Sequence, residues 1–121
     1  MTESLEALLS ELERFGQAND STTAERARRM LNITRDTGEL LSVLVRATSA
    51  RRVLEIGTSN GYSTLWLASA ARAAGGAVTT VELSGYKVGL AEENFRRSGL
   101  ASAITLVQDD AGRVLGRAAD A

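Results

Sequence analysis

The chain has 121 residues, enough for one domain with a single core and too few for a second. Its 44% hydrophobic and 24% charged residues and formal net charge of -1 exclude a disordered or collagen-like chain and give no electrostatic footprint for nucleic acid. Cysteine and histidine are both absent, which removes disulfides, thiolate and imidazole metal ligands, triad bases and nucleophilic thiols; carboxylates, hydroxyls and one lysine, Lys87, are left for chemistry.

The opening residues Met1-Thr2-Glu3-Ser4 are not a basic leader region, and no apolar stretch approaches the roughly 20 residues that span a bilayer. A cytoplasmic protein with no membrane partner is therefore expected. Leu5, Leu8, Leu9, Leu12 and Phe15 recur at helical spacing and predict an amphipathic helix closed by Gly16. Thr22 with Glu25 at capping-box spacing predicts a second helix, on which the run Arg26-Ala27-Arg28-Arg29 reads as a solvated face. Asp36 with Glu39 predicts a third, apolar nearly all round at Leu40, Leu41, Val43, Leu44, Val45 and Ala47 and so expected to be well buried.

From residue 52 the pattern changes to strand, glycine turn and helix. Val53-Leu54-Glu55-Ile56 is a short apolar strand closed by Gly57 and Gly61, with a helix over Ser63 to Ala73. Ala77 to Val81 is a second strand, Val88 to Arg97 a helix stopped by Gly99, and Ile104 to Val107 a third strand. Strands alternating with helices of about ten residues imply right-handed crossovers and a parallel sheet. The fold class is α/β with a Rossmann-like start: residues 1-50 as a helical cap and 51-121 as a cofactor-binding βαβαβ unit.

Chemistry is concentrated at the turns. In Glu55-Ile56-Gly57-Thr58-Ser59-Asn60-Gly61 the glycines allow a tight turn and a close approach of backbone amides to a ligand, although a plain structural turn uses the same residues. Glu82, at the end of the second strand and about 20 residues after Gly61, is where a carboxylate can accept hydrogen bonds from both hydroxyls of a ribose. Ser59 stands where a dinucleotide site needs its second glycine, and no Lys-Ser/Thr pair follows Gly61 as in a phosphate-binding loop. A nucleoside ligand without phosphates fits better.

The segment Val53 to Leu65, with Gly61-Tyr62-Ser63 after the turn, resembles the first motif of class I S-adenosylmethionine-dependent O-methyltransferases of the catechol and caffeoyl-coenzyme A type. The resemblance implies that Glu55, Gly57, Thr58, Ser59, Gly61 and Ser63 hold the methionine moiety of S-adenosylmethionine and that Glu82 holds its ribose. Leu31-Asn32-Ile33-Thr34 looks like the lip that closes over the cofactor, with Ile33 in contact, and Gln108-Asp109-Asp110-Ala111 like the adenine-binding turn, with Asp110 and Ala111 as its contacts. The family usually has glycine where Asp109 stands.

By the same resemblance the domain normally continues through about four more strands, carrying the ligands of a divalent metal (Mg) and a lysine base. No residue here matches them, so no catalytic or metal-ligating residue is named, and Lys87 falls on the ribose side of the cofactor. The implied activity is transfer of a methyl group to a hydroxyl of a small catechol- or phenylpropanoid-like acceptor, with proximity and electrostatics carrying the rate. The chain alone is expected to transfer little. A non-catalytic S-adenosylmethionine-binding or oligomerising fragment is the alternative, because the first strand, central in the family order, would have one unpaired edge that a second copy could cover.

Overall fold

The computed structural model describes residues 2–120; Met1 and Ala121, the end residues of the two expected regions, lie outside them. Helix α1 (Glu3–Thr22) is followed by a short 3-10 turn (Arg26–Arg28) and helix α2 (Arg35–Thr48). The α/β unit then runs β1 (Arg52–Ile56), α3 (Tyr62–Ala73), β2 (Ala77–Glu82), α4 (Gly85–Ser98), β3 (Ile104–Gln108) and α5 (Ala111–Asp120). All strand pairings are parallel, in the order β1-β2-β3, so β2 is central and β1 forms an edge. Register places Glu55 opposite Thr80 and Glu82 opposite Gln108, which brings the acidic residues to the carboxyl ends of neighbouring strands. In open α/β sheets that edge is where ligands bind.

The core lies where α3 meets α1, α4 and the sheet. Leu5, Leu8, Leu9 and Leu12 form the buried stripe of α1, as the spacing predicts, while Phe15 is exposed. Helix α1 does not stop at Gly16; it continues to Thr22. Glycine inside a helix is unfavourable by about 1 kcal/mol relative to alanine, and its use here is steric, since a Cβ at Gly16 would lie 2.7 Å from Nδ2 of Asn32. The expected helix from Thr22 is also absent. The Thr22 hydroxyl donates to the Ala18 carbonyl at 3.0 Å, so this residue closes α1 rather than opening a new helix.

Helix α2 starts one residue before Asp36, capped by Thr34, whose hydroxyl accepts the Thr37 N–H. It is not well buried: Leu40, Val43 and Leu44 are 55%, 60% and 52% exposed. The apolar contact of α2 is with α3, met through Gly38, Leu41 and Val45 on one face. The helix that is buried nearly all round is α3, with Tyr62, Leu65, Trp66, Leu67, Ala68, Ala70 and Ala71 all in the core. Among the described residues no helix is long and apolar enough to cross a membrane.

Candidate cofactor-binding site

The turn after β1 is stitched to the central strand: the Gly57 and Thr58 amides both donate to the Val81 carbonyl, at 2.8 and 3.2 Å. Gly57 and Gly61 take φ of 88° and 93°, a region that L side chains avoid. Asn60 is fully buried; its side-chain oxygen accepts the Tyr62 N–H at 3.2 Å, and its carbonyl accepts from Asn94 at 2.9 Å. Ser59 also sits in the left-handed region, at φ 51°, where a non-glycine residue costs roughly 1–2 kcal/mol. Two bonds hold it there. Its amide donates to Oε1 of Glu82 at 2.8 Å, and its hydroxyl donates to the Met30 carbonyl at 2.8 Å.

Glu82 therefore faces the turn with a definite remaining capacity. Oε1 accepts the Ser59 amide, and Oε2 accepts the Ser84 amide at 3.0 Å. An ionised carboxylate offers about two acceptor sites per oxygen, so each oxygen keeps one. Two free sites side by side on one carboxylate match two adjacent hydroxyls, which is the ribose edge of a nucleoside. Glu55 is held from the other side: Ser63 donates to its Oε2 at 2.6 Å, Thr80 donates to Oε1 at 2.8 Å, and Thr64 donates to Oε1 as well.

The lip at Met30 to Thr34 is fixed from α1. Asp20 accepts the Met30 amide at 2.7 Å and the Leu31 amide at 2.8 Å, one on each oxygen, holding Leu31 at φ 50°. Partial burial pushes the Asp20 carboxyl up, but these amides, with Asn19 and Arg29, more than offset it and hold the group below its ordinary value. Ile33 is half-buried, beside a cavity of about 460 Å³ that Glu13, Asp20, Asn32 and Arg35 also line. Arg35, the first residue of α2, pairs with Glu6 and Glu13 at 3.0 Å each, and Glu13 accepts the Tyr62 hydroxyl at 2.8 Å. The starts of α2 and α3 are thus joined to α1 through one carboxylate.

Burial and the bond to Glu13 push the Tyr62 phenol up to about 12 from an ordinary 10.0. A raised value means that the neutral phenol favours the folded state, fully below about pH 10 and decreasingly as pH rises through about 12. In a Tyr86→Phe variant, which leaves Tyr62 as the single tyrosine, tyrosinate absorbance is expected to rise with a midpoint at about pH 12. A midpoint near pH 10 in the folded protein would show that Tyr62 is not held in this buried position against Glu13.

The Gln108 to Ala111 segment is a helix start. The Asp110 carboxylate accepts the Arg113 N–H at 3.0 Å and caps α5, whose first residue is Ala111. Asp109, where the family pattern has glycine, turns its carboxylate onto α5, pairing with Arg117 at 2.9 Å and Arg113 at 3.5 Å. Its amide donates to the Glu82 carbonyl at 3.2 Å, which ties this helix start to the end of β2. Arg28, from the basic run, lies over the Tyr86 ring at 4.7 Å, joining the 3-10 turn to α4.

Residues 4–120 match the family model described as O-methyltransferase. The chain belongs to the O-methyltransferase family. It is 44% identical over 72 residues to a catechol O-methyltransferase of Mycobacterium tuberculosis, covering 58% of this chain and 31% of that one. A solved O-methyltransferase of Bacillus cereus, in complex with S-adenosylhomocysteine, superimposes with a TM-score of 0.75 at 30% identity over 95% of this chain and 49% of that one. An O-methyltransferase of Streptomyces achromogenes with S-adenosylmethionine gives 0.72 at 27%, over 97% and 47%. The chain therefore spans about half the length of these solved relatives and has the Rossmann-like fold of S-adenosylmethionine-dependent methyltransferases.

In this member of the O-methyltransferase family the structure brings Glu55, Ser59, Ser63 and Glu82 to one end of the sheet, with the two glycines between them. Thr58 is buried, 1% exposed, with its hydroxyl 2.6 Å from that of Thr80. The sequence reading missed Thr64, Thr80, Asp20 and the Glu13–Arg35 pair. For Thr80 a signal exists: period-two alternation puts it on the same face of β2 as Glu82. For the others, partners far along the chain leave no local pattern.

Proposed function

We propose that these residues form the S-adenosylmethionine site of an O-methyltransferase that acts on a hydroxyl of a small, catechol- or phenylpropanoid-like molecule. The observation that carries the reading is the Glu82 carboxylate, anchored by two backbone amides and left with one acceptor site on each oxygen. When bound, S-adenosylmethionine supplies a methyl group on a positively charged sulfur. The chain's own residues bind and orient. Glu82 takes the ribose hydroxyls, Glu55 and Ser63 the amino-acid end, the backbone of 57–61 approaches without side-chain obstruction, Ile33 closes the lip, and Asp110 and Ala111 stand at the adenine end.

No base and no metal ligand is assigned. Among the described residues no group of three acidic side chains gathers that could hold a metal ion, so the magnesium implied by the resemblance is given to none of them. The test is calorimetric titration of the chain with S-adenosylmethionine. Binding is expected in the wild type, and Glu82→Ala should weaken it at least about hundredfold, the equivalent of two charge-assisted hydrogen bonds. A folded wild-type chain that releases or absorbs no heat by any of several temperatures would overturn the reading.

A second reading, a cofactor-binding unit that associates with another copy or another chain, is favoured by the apolar side chains left open on β1 and α2. Leu54 and Ile56 are each 45% exposed on an edge strand, a template for pairing. Light scattering at micromolar concentration is expected to give a mass above that of the 12.8 kDa chain; a strictly monomeric mass would sink this reading.

A further inference from the structure

The Glu55 carboxylate has two unlike ends. Its Oε1 receives two hydroxyl protons, from Thr64 on α3 and Thr80 on β2, and both of these threonines are fully buried. Its Oε2 receives one, from Ser63. With about two acceptor sites per oxygen, Oε1 is saturated by protein and Oε2 keeps one site open. Oε1 is thus the anchored end and Oε2 the end available to a ligand.

Proton counting extends the chain inward. A threonine hydroxyl has a single proton, and that of Thr80 is committed to Glu55. The 2.6 Å contact between the Thr58 and Thr80 hydroxyls must then have Thr58 as donor, giving a directed series Thr58 to Thr80 to Glu55. Threonine suits this task because its branched Cβ limits the side chain to few rotamers, so the donor is held in place before any ligand arrives. Register makes the series compact: Thr80 lies directly opposite Glu55 across the parallel pair.

We infer that Thr80 and Thr64, with Thr58 acting through Thr80, are positioning residues that fix Glu55 so that its Oε2 meets the ammonium group of the cofactor's amino-acid end. Ser63 has a different part. Its one proton is on Oε2, and to donate to the ligand's carboxylate it must rotate away; the two buried threonines keep Glu55 in place while it does so. The Thr58 hydroxyl therefore serves the cofactor through a hydrogen-bond series and not by touching it. This inference rests on the S-adenosylmethionine reading above.

The experiment compares two probes on the full 121-residue chain: S-adenosylmethionine, and 5′-methylthioadenosine, which keeps the nucleoside and the sulfur but lacks the amino-acid end. Thr80→Val preserves shape and removes the proton. It is expected to weaken S-adenosylmethionine about tenfold or more while leaving methylthioadenosine within about twofold, as the loss of a bond to a charged group predicts. Thr80→Ser, which restores the hydroxyl, should recover most of the loss. If Thr80→Val does not fold, Thr64→Val reports on the same oxygen from a different element. Equal weakening of both probes would mean a merely structural role and would overturn the inference, as would unchanged affinity for S-adenosylmethionine. A folded wild-type chain that binds neither probe overturns the cofactor reading itself, whereas one that binds both probes equally overturns only the assignment of Glu55 to the amino-acid end.

Discussion

Replacing Gly61 by alanine is expected to destabilise the fold by roughly 2–5 kcal/mol and to remove cofactor binding from whatever remains folded. Two effects add. Gly61 has φ of 93°, where an L residue is strained by roughly 1–2 kcal/mol. A Cβ there would also lie 2.5 Å from Cε1 of Phe95, a ring that is itself buried, and overpacking of this kind costs typically about 1–3 kcal/mol. Against a total stability of about 5–15 kcal/mol, that is a large fraction, and at the low end of the range it is enough to unfold a substantial share of the molecules. The position is also the hinge between turn and helix: the Gly61 amide donates to Thr58 at 2.9 Å, and its carbonyl accepts from Leu65 at 3.0 Å. Urea unfolding followed by circular dichroism measures the change, and an alanine variant within about 0.5 kcal/mol of wild type would show that Phe95 or the backbone yields easily.

Gly38→Ala is expected to be nearly as damaging for a different reason. A Cβ on this residue of α2 would come within 2.4 Å of Nε1, 2.5 Å of Cδ1 and 2.7 Å of Cε2 of Trp66. The indole has nowhere to go: it is 4% exposed, meets the Tyr62 ring edge-on at 6.5 Å, and carries the Arg35 guanidinium 5.4 Å from its centre. Alanine favours a helix over glycine by about 1 kcal/mol, which offsets part of an overpacking cost of about 3 kcal/mol, the upper end of the usual range for a clash with a confined ring, and the net loss is expected near 2 kcal/mol. The relief available is for α2 to lift from α3. Because Thr34 caps α2, the lip moves with it, and affinity for S-adenosylmethionine should fall along with the melting temperature. Trp66 is the single tryptophan, so its emission reports the change directly; a variant with unmoved emission and unmoved melting would refute the close crossing.

The strands were legible in the sequence to within about one residue at their ends. Each is a short run rich in Val, Ile, Leu or Thr between breaks, while the similar run Leu40 to Val45 lies inside a longer segment opened by Thr34 and is helical. The carboxylates Glu55 and Glu82 were legible too, because strand ends and glycine turns announce where a carboxylate faces a ligand. Helix starts were read less well. The Ser84 side chain accepts the Lys87 N–H at 3.3 Å and opens α4 at Gly85, ahead of the apolar periodicity that begins at Val88. Helix α5 leaves no clear mark in the sequence, because Asp110 and Ala111 fit a ligand turn and Asp110 also caps a helix. The N-terminal third departs furthest from its pattern. There Gly16, Thr22 and the apolar residues of α2 are governed by contacts with Asn32, Ala18 and α3, and periodicity does not record which faces find a neighbour.

The cofactor turn also bears on how the protein ages. Asn60-Gly61 is the dipeptide in which asparagine most readily loses its amide, by attack of the following backbone nitrogen on the side-chain carbonyl to give a cyclic imide. Here Asn60 is fully buried, its side-chain oxygen is held by the Tyr62 amide, and the nitrogen that must attack is donating to Thr58. The imide cannot close without dismantling the turn. Deamidation at this position is therefore expected only from molecules in which the turn has opened, so aspartate or isoaspartate found there after storage would record that opening.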